Sequence, residues 1–331
     1  MNRKAIFYGL GLVIAVTLAW LVLRPSVVPA REQKLVLRIS HFRPGVPATV
    51  QKARGSLEKA LAPHGVTVQW DEFKVTTESM LALSSGAIDV AVGGVEGSIA
   101  AIASGVPLKI VAAGPHQAPK TGWYTAILVR DESPIRALGD LKDKKIAVGK
   151  GGFSEAILAL AVRKGGHRYP DEVQPVYLSS ADAVGAFTAG AVDAILTLDP
   201  YVPSIQRDLH ARILTDNEQL GYPTIWCVSV QEKFARQHPD VVDLVVQEFL
   251  KVGPWVAEHR GEAATSLASA VGFDATLWET TLERASYVLT PPDPATLPDL
   301  QYVAEQLLEL GVIRTPVNVS EHVLQRAAKP R

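Results

Sequence analysis

SSADAVGAFTAGAVDAILTLDPY, residues 179–201, reads as a helix, a tight turn, a buried strand and a strand-end loop. Ser179 or Ser180 is placed to cap the helix, with Asp182 in its first turn. Ala183, Val184, Ala186 and Phe187 form its apolar side. Gly190 ends it, because glycine accepts the left-handed backbone that terminates a helix. Residues 191–198 are then mostly apolar, as expected of a strand covered on both faces. Asp199-Pro200 closes the strand and Tyr201 opens the next segment.

The pattern has a counterpart 104 residues earlier. Ser84-Ser85-Gly86-Ala87-Ile88-Asp89-Val90-Ala91 matches Thr188-Ala189-Gly190-Ala191-Val192-Asp193-Ala194-Ile195. Both copies close a helix with glycine, enter a strand through an aliphatic-Asp pair and leave it by a loop. Gly-Ala-aliphatic-Asp alone is a common helix-to-strand link. One offset kept across helix, turn, strand and loop points instead to two α/β lobes of similar plan. Such lobes set their strand-end loops across a shared crevice, where open α/β sheets bind ligands.

The 331 residues suffice for two domains, and 47% hydrophobic with 20% charged residues is an ordinary globular mix. The net charge is −1, without a basic patch, so nucleic acid is not an expected partner. Cys227 is the one cysteine, inside an apolar run; this excludes an internal disulfide and any multi-cysteine metal site. No metal and no cofactor are expected. Residues 1–30 form an export signal: Asn2-Arg3-Lys4, then an uncharged stretch over 5–23, then Val28-Pro29-Ala30 at the spacing a signal peptidase accepts. The run over 5–23 is also near the roughly 20 residues that span a bilayer, so an uncleaved anchor stays open as the alternative. No cysteine follows the run, which excludes a lipoprotein.

Outward from this stretch, strands are expected over 34–40, 66–73, 88–92 and 108–113, with helices over 48–62, 76–83 and 96–103 between them. That rhythm means a parallel sheet with helices on both faces. Residues 114–122 are a Pro/Gly-rich break, the first crossover is expected around 114–128, and 123–130 form a strand. Ser133-Pro134 opens a helix toward Leu141, with proline at the first helical position. Strands over 144–149 and 173–178 flank a helix over 156–164. A return crossover over 211–224 leads to a strand over 225–230, and helices over 239–258, 260–271, 275–287 and 296–310 pack around the first lobe. The domain expectation is a leader over 1–30, lobe 1 from 31–120 and 218–331, and lobe 2 from 121–217.

Several segments carry a family likeness: Gly55-Ser56-Leu57-Glu58; Val68-Gln69-Trp70-Asp71-Glu72-Phe73; Ser133-Pro134-Ile135; Asp140-Leu141-Lys142-Asp143-Lys144-Lys145-Ile146-Ala147-Val148; Gly190-Ala191-Val192-Asp193-Ala194; and Asp199-Pro200-Tyr201. In their order and spacing the chain resembles the periplasmic solute-binding proteins of ABC importers for aliphatic sulfonates, taurine and nitrate. The resemblance implies an α/β, two-lobed type II periplasmic-binding-protein fold, each lobe a mostly parallel sheet flanked by helices, with two crossovers and hinged closure. It departs from the family in two crevice-facing places: Leu198-Asp199-Pro200 stands for a common Trp-Asp-Pro, and Gly93-Gly94-Val95-Glu96 for a common polar Thr-Gly loop.

A small anion is held well by helix N-termini, where free backbone N–H groups and the helix dipole both point at it. Three such ends are expected on crevice loops: Gly45-Val46-Pro47, Gly94-Val95-Glu96 with Gly97, and Gly151-Gly152-Phe153-Ser154. Each glycine alone equally suits a tight turn; as a set on strand ends they favour a ligand. Arg43 offers a bidentate fork to a sulfonate or carboxylate, or is a solvated loop arginine. His41 is a second contact candidate, or a loop or core histidine. Glu96 and Asp199 could receive an ammonium group or cap helices. Tyr201, Tyr222 and Trp226 are candidates to wall the apolar part of a ligand, with Trp226 equally suited to the core.

No HExxH, GxSxG or GxxxxGK[ST] occurs, and Cys227 lies within a strand rather than a crevice loop, so the chain is not read as an enzyme. The expected role is an exported, monomeric solute-binding protein that captures a small organic anion and delivers it to an ABC permease and its ATPase. Two rivals stay open: an enzyme on the same fold, and a membrane-anchored sensor or binding domain uncoupled from transport.

Overall fold

The computed structural model describes residues 35–42, 45–74, 76–114 and 124–324. The leader, Arg43 and residues 115–123 of the first crossover therefore lie outside the described residues. In chain order the elements are β1 (Leu35–His41), α1 (Val46–Arg54), α2 (Ser56–Leu61), β2 (Val66–Glu72), α3 (Thr76–Ser85), β3 (Val90–Gly94), α4 (Val95–Ala103), β4 (Leu108–Gly114) and β5 (Thr125–Arg130). Then come β6 (Lys145–Val148), α5 (Phe153–Lys164), β7 (Gln174–Tyr177), α6 (Ser180–Thr188), β8 (Ala194–Leu198), α7 (Tyr201–Asp208), β9 (Ala211–Asp216) and α8 (Asn217–Leu220). The chain returns through β10 (Trp226–Gln231) to α9 (Glu232–Gln237), α10 (Pro239–Leu250), α11 (Val252–Glu258), α12 (Arg260–Val271), α13 (Ala275–Arg284) and α14 (Leu297–Glu309).

Two five-stranded sheets form, in the orders β2-β1-β3-β10-β4 and β7-β6-β8-β5-β9. They have one plan. In each, the strand inserted between the third and fifth positions is the one that comes after a crossover, and it runs antiparallel to both neighbours. Each sheet is thus mixed, with one antiparallel strand within the mostly parallel plan expected. A strand arriving from the opposite lobe enters from the crevice side, so it must run against strands that end there.

The repeated aliphatic-Asp pair has a physical reason. Asp89 N–H donates to the Arg38 carbonyl while its carboxylate accepts the Arg38 N–H at 2.9 Å. Asp193 does the same to Lys145, carboxylate to N–H at 2.8 Å. Each aspartate thus clamps the entry of the third strand of its sheet to the strand in the second position, β1 or β6. The glycines ahead of them, Gly86 and Gly190, both have positive φ, 75° and 72°, as the turn requires. Ser179 caps α6 through the Asp182 N–H.

Four local expectations are corrected. The helix over 48–62 breaks at Gly55, whose φ of 60° ends α1 and starts α2. The helix over 239–258 divides at Lys251 into α10 and α11. His41 belongs to β1 rather than to a loop. Ser133-Pro134 does not open an α-helix: the Asp140 carboxylate accepts the Arg136 and Ala137 N–H groups, and only a short 3-10 turn, Leu138–Leu141, forms after them.

The C-terminal helices cover the first lobe, α10 against α2 and β4, α12 against α1, and α14 against α4. Helix α5 of the second lobe packs against α4 of the first, and their buried Ile99, Phe153, Ile157 and Leu160 belong to one apolar core that joins the lobes.

Candidate functional site

A cleft of about 540 Å³ lies where the carboxyl ends of the strands meet. Its walls come from the same three places in each sheet. Phe42 follows β1 and Gly149 follows β6; Glu72, Phe73, Lys74 and Thr76 lie at the end of β2, and Leu178 to Asp182 at the end of β7; Gly93 and Gly94 end β3, and Leu198 and Tyr201 end β8. Val271, the last residue of α12, also lines the cleft. Carboxyl strand ends are where open α/β sheets bind ligands.

The most elaborated part is the loop before α5, Lys150-Gly151-Gly152-Phe153-Ser154. Gly151 and Gly152 have φ of 68° and 87°. At Gly152 ψ is −150°, a combination that is essentially glycine-only. A Cβ on Gly151 would stand 2.9 Å from the Thr77 hydroxyl of the opposite lobe, which donates to the Lys150 carbonyl at 3.1 Å. Glu155 holds the loop from behind. One carboxylate oxygen accepts the Gly151 N–H at 2.7 Å, and the other accepts the hydroxyls of Tyr169 and Tyr177, each at 2.8 Å. No side chain caps α5, and a helix N-terminus favours an anion through its dipole. Lys150 sits beside this terminus, its ammonium 5.4 Å from the Tyr177 ring centroid. Neither Lys150 nor Lys74 has a carboxylate partner among the described residues. Gly152→Ala is expected to destabilise the protein by about 1–3 kcal/mol through backbone strain and to weaken anion binding by displacing this loop. A variant that melts and binds like the parent would remove the loop from the site.

Of the residues expected from sequence, Gly94, Gly151, Phe153, Ser154 and Tyr201 line the cleft, and Gly152 caps α5 between them. The other described candidates do not line it. Gly45 is buried as the N-cap of α1. Val95 is fully buried, its N–H donating to the Ile225 carbonyl. His41 is buried against Trp70, and its Nε2 stands 2.9 Å from the Lys52 ammonium, which can only donate, so that nitrogen accepts. Asp199 is buried in a bidentate pair with Arg284, at 2.7 and 2.9 Å, instead of facing a ligand. Burial pushes its carboxyl up to about 6, although Arg284 pulls the other way. Val46, Asp199 and Trp226 meet Tyr124, Thr281 and Tyr287 around a separate cavity of about 10 Å³, the size of one water.

Glu96 is 0% exposed, in the first turn of α4. Burial raises its carboxyl to about 8, so it is neutral at pH 7 and does not serve as a counter-charge for an ammonium group. The buried Tyr222 hydroxyl faces it, yet neither group makes a hydrogen bond of regular geometry. The Tyr222 ring lies behind Phe153, centroids 6.0 Å apart.

Lys74, Thr76, Lys150, Leu178 and Ser179–Asp182 line the cleft without having been expected there. A signal for several of them was present. The offset of 104 that relates Gly86 to Gly190 also relates Thr76 to Ser180, Lys74 to Leu178 and Gly94 to Leu198, and all six line the cleft.

The family model described as "NMT1/THI5 like" matches residues 62–263. The chain belongs to this NMT1/THI5-like family. Among curated relatives it is 28% identical over 299 residues to a putative aliphatic sulfonates-binding protein of Escherichia coli, covering 90% of this chain and 91% of that one. It is 29% identical over 215 residues to the taurine-binding periplasmic protein of the same organism, covering 63% of each. Among solved structures, the alkanesulfonate-binding protein SsuA of Xanthomonas axonopodis pv. citri bound to MOPS superimposes with a TM-score of 0.78 at 26% identity, over 87% of this chain and 98% of that one. This NMT1/THI5-like chain therefore has the two-lobed periplasmic-binding-protein fold, with a five-stranded mixed sheet in each lobe.

Proposed function

We propose that the chain is the periplasmic solute-binding component of an ABC importer. It captures a small organic anion, an aliphatic sulfonate or taurine-like compound, between its lobes. The observation that carries this reading is the convergence of the uncapped α5 N-terminus with two lysines that lack carboxylate partners among the described residues, in a cleft walled by strand ends of both lobes. The relatives named for sulfonates and taurine support the ligand class. Hinge closure would be driven by the difference in ligand affinity between open and closed arrangements, and the closed form would dock on the permease with its ATPase.

Binding rather than turnover is supported by Cys227. It is 1% exposed, within hydrogen-bonding reach of Ser98 at 3.3 Å, and burial raises its thiol to about 11. A buried thiol held that high supplies no thiolate nucleophile at neutral pH. Calorimetry with a panel of sulfonates is expected to give micromolar dissociation constants, roughly −8 kcal/mol. Silence across all sulfonates, with heat from some other solute, would overturn the ligand class.

A further inference from the structure

Within this reading, we infer that the cleft selects sulfonates carrying a ring-sized apolar body over two-carbon sulfonates. The inference depends on the anion-binding role proposed above and names the part of the ligand that role leaves open. Two observations carry it.

The first is size. A volume of about 540 Å³ equals the liquid volume of roughly 18 waters at about 30 Å³ each, and falls within the range of pockets that enclose drug-sized molecules. A two-carbon sulfonate, with its handful of heavy atoms, leaves most of that space to water. The lobes already touch at the Thr77 hydroxyl and the Lys150 carbonyl, which limits further closure at that point.

The second is the lining. Lobe 1 contributes Phe42, Phe73 and Val271, and lobe 2 contributes Leu178, Leu198 and Tyr201. Apolar side chains thus face the cleft from both sides, away from the Lys150–Ser154 loop in sequence and on different strand ends. An anion alone needs none of them, whereas a flat apolar body would remove all six from water. The acidic residues of the lining are already engaged: Asp182 accepts the Ser179 hydroxyl at 2.6 Å, and Glu72 has a partner within the protein. Removing apolar surface from water contributes about 25 cal/mol per Å², which makes the body the larger discriminator between ligands that share one sulfonate.

Calorimetry on the mature protein tests this with naphthalene-2-sulfonate, ethanesulfonate and taurine. The expected result is at least tenfold tighter binding of the naphthalene compound than of either two-carbon sulfonate. Phe42→Ala is expected to weaken the naphthalene sulfonate about tenfold and ethanesulfonate by a much smaller factor; Leu178→Ala, on the opposite wall, provides the same test if the first variant folds poorly. Equal or tighter binding of either two-carbon sulfonate, or an equal loss for both ligands in the variants, overturns the inference and leaves the sulfonate reading standing. No binding of any of the three removes the sulfonate reading itself.

Discussion

Arg284→Ala is expected to destabilise the protein by about 3 kcal/mol at pH 8, the lower end of what breaking a buried ion pair costs. Asp199 is 5% exposed at its side chain and Arg284 34%, so water offsets part of the loss on the arginine side only. The guanidinium holds three elements at once. It pairs with the carboxylate at the end of β8, leaves from the last turn of α13, and stacks 4.5 Å from the Tyr124 ring. Tyr124 in turn donates to Asp216 at 3.0 Å, and the Thr125 N–H donates to Asn217. This network joins the end of the first crossover to the start of the second.

The loss should depend on pH in one direction. The Asp199 carboxyl stands near 6 in the folded protein, above its ordinary value of 3.8. Its contribution to stability is complete below about pH 4 and declines as pH rises through 6, because the folded state binds the extra proton. Without Arg284 the carboxyl would titrate higher still, since its main opposing charge is gone. At pH 5 it is mostly protonated with or without the arginine, so the two proteins should differ least there. Denaturant melts of parent and variant at pH 5 and pH 8 measure this directly. A larger gap at pH 5 than at pH 8 would contradict the pairing as described.

Much of the architecture was legible because burial leaves a period in the chain. The apolar strand cores and the helices between them reflect that period, and the Gly-Ala-aliphatic-Asp repeat announced two sheets of one plan. The backbone detail was less legible where a side chain competes for the main chain. Asp140 takes two N–H groups that a helix from Ser133-Pro134 would have used. At the site, Lys150 to Ser154 stood out because paired glycines at a strand-to-helix turn imply positive φ. Glu96, Tyr222, Trp226 and His41 are buried away from the cleft, which for Trp226 and His41 is the core alternative. Sequence gives their polarity and not the side they face. Ser179 and Asp182 were read only as a helix cap; they are a cap that also lines the cleft.

Glu96→Gln is expected to stabilise the protein, with a gain near zero at pH 4.5 and reaching about 5 kcal/mol at pH 8. The sign is set by the proton. Burial raises the Glu96 carboxyl from 4.5 to about 8, so between those values the folded state holds a proton that the unfolded chain releases. Each pH unit across that window costs about 1.4 kcal/mol. The stability tied to this group is complete below pH 4.5 and is lost as pH rises toward 8. Glutamine has nearly the same shape and no proton to hold, so it removes the dependence and retains the packing. The groups facing the carboxyl offer no compensating charge. Tyr222, on the return crossover, and Cys227, on β10, are both buried and neutral, their own values raised in part by this carboxylate.

The glutamate also touches the cleft indirectly. A Cβ on Gly94, which lines the cleft, would come within 2.8 Å of a Glu96 oxygen. A neutral carboxyl behind this floor leaves an anion unopposed, whereas an ionised one would repel it. Anion affinity in the parent should therefore decline above pH 8, and Glu96→Gln should retain it. Thermal melts from pH 4.5 to 9 test the first half, and calorimetry at pH 7 and pH 9 tests the second. A parent-to-variant stability gap that stays constant over that range would mean that another group carries the titration, and the neutral state of Glu96 would have to be abandoned.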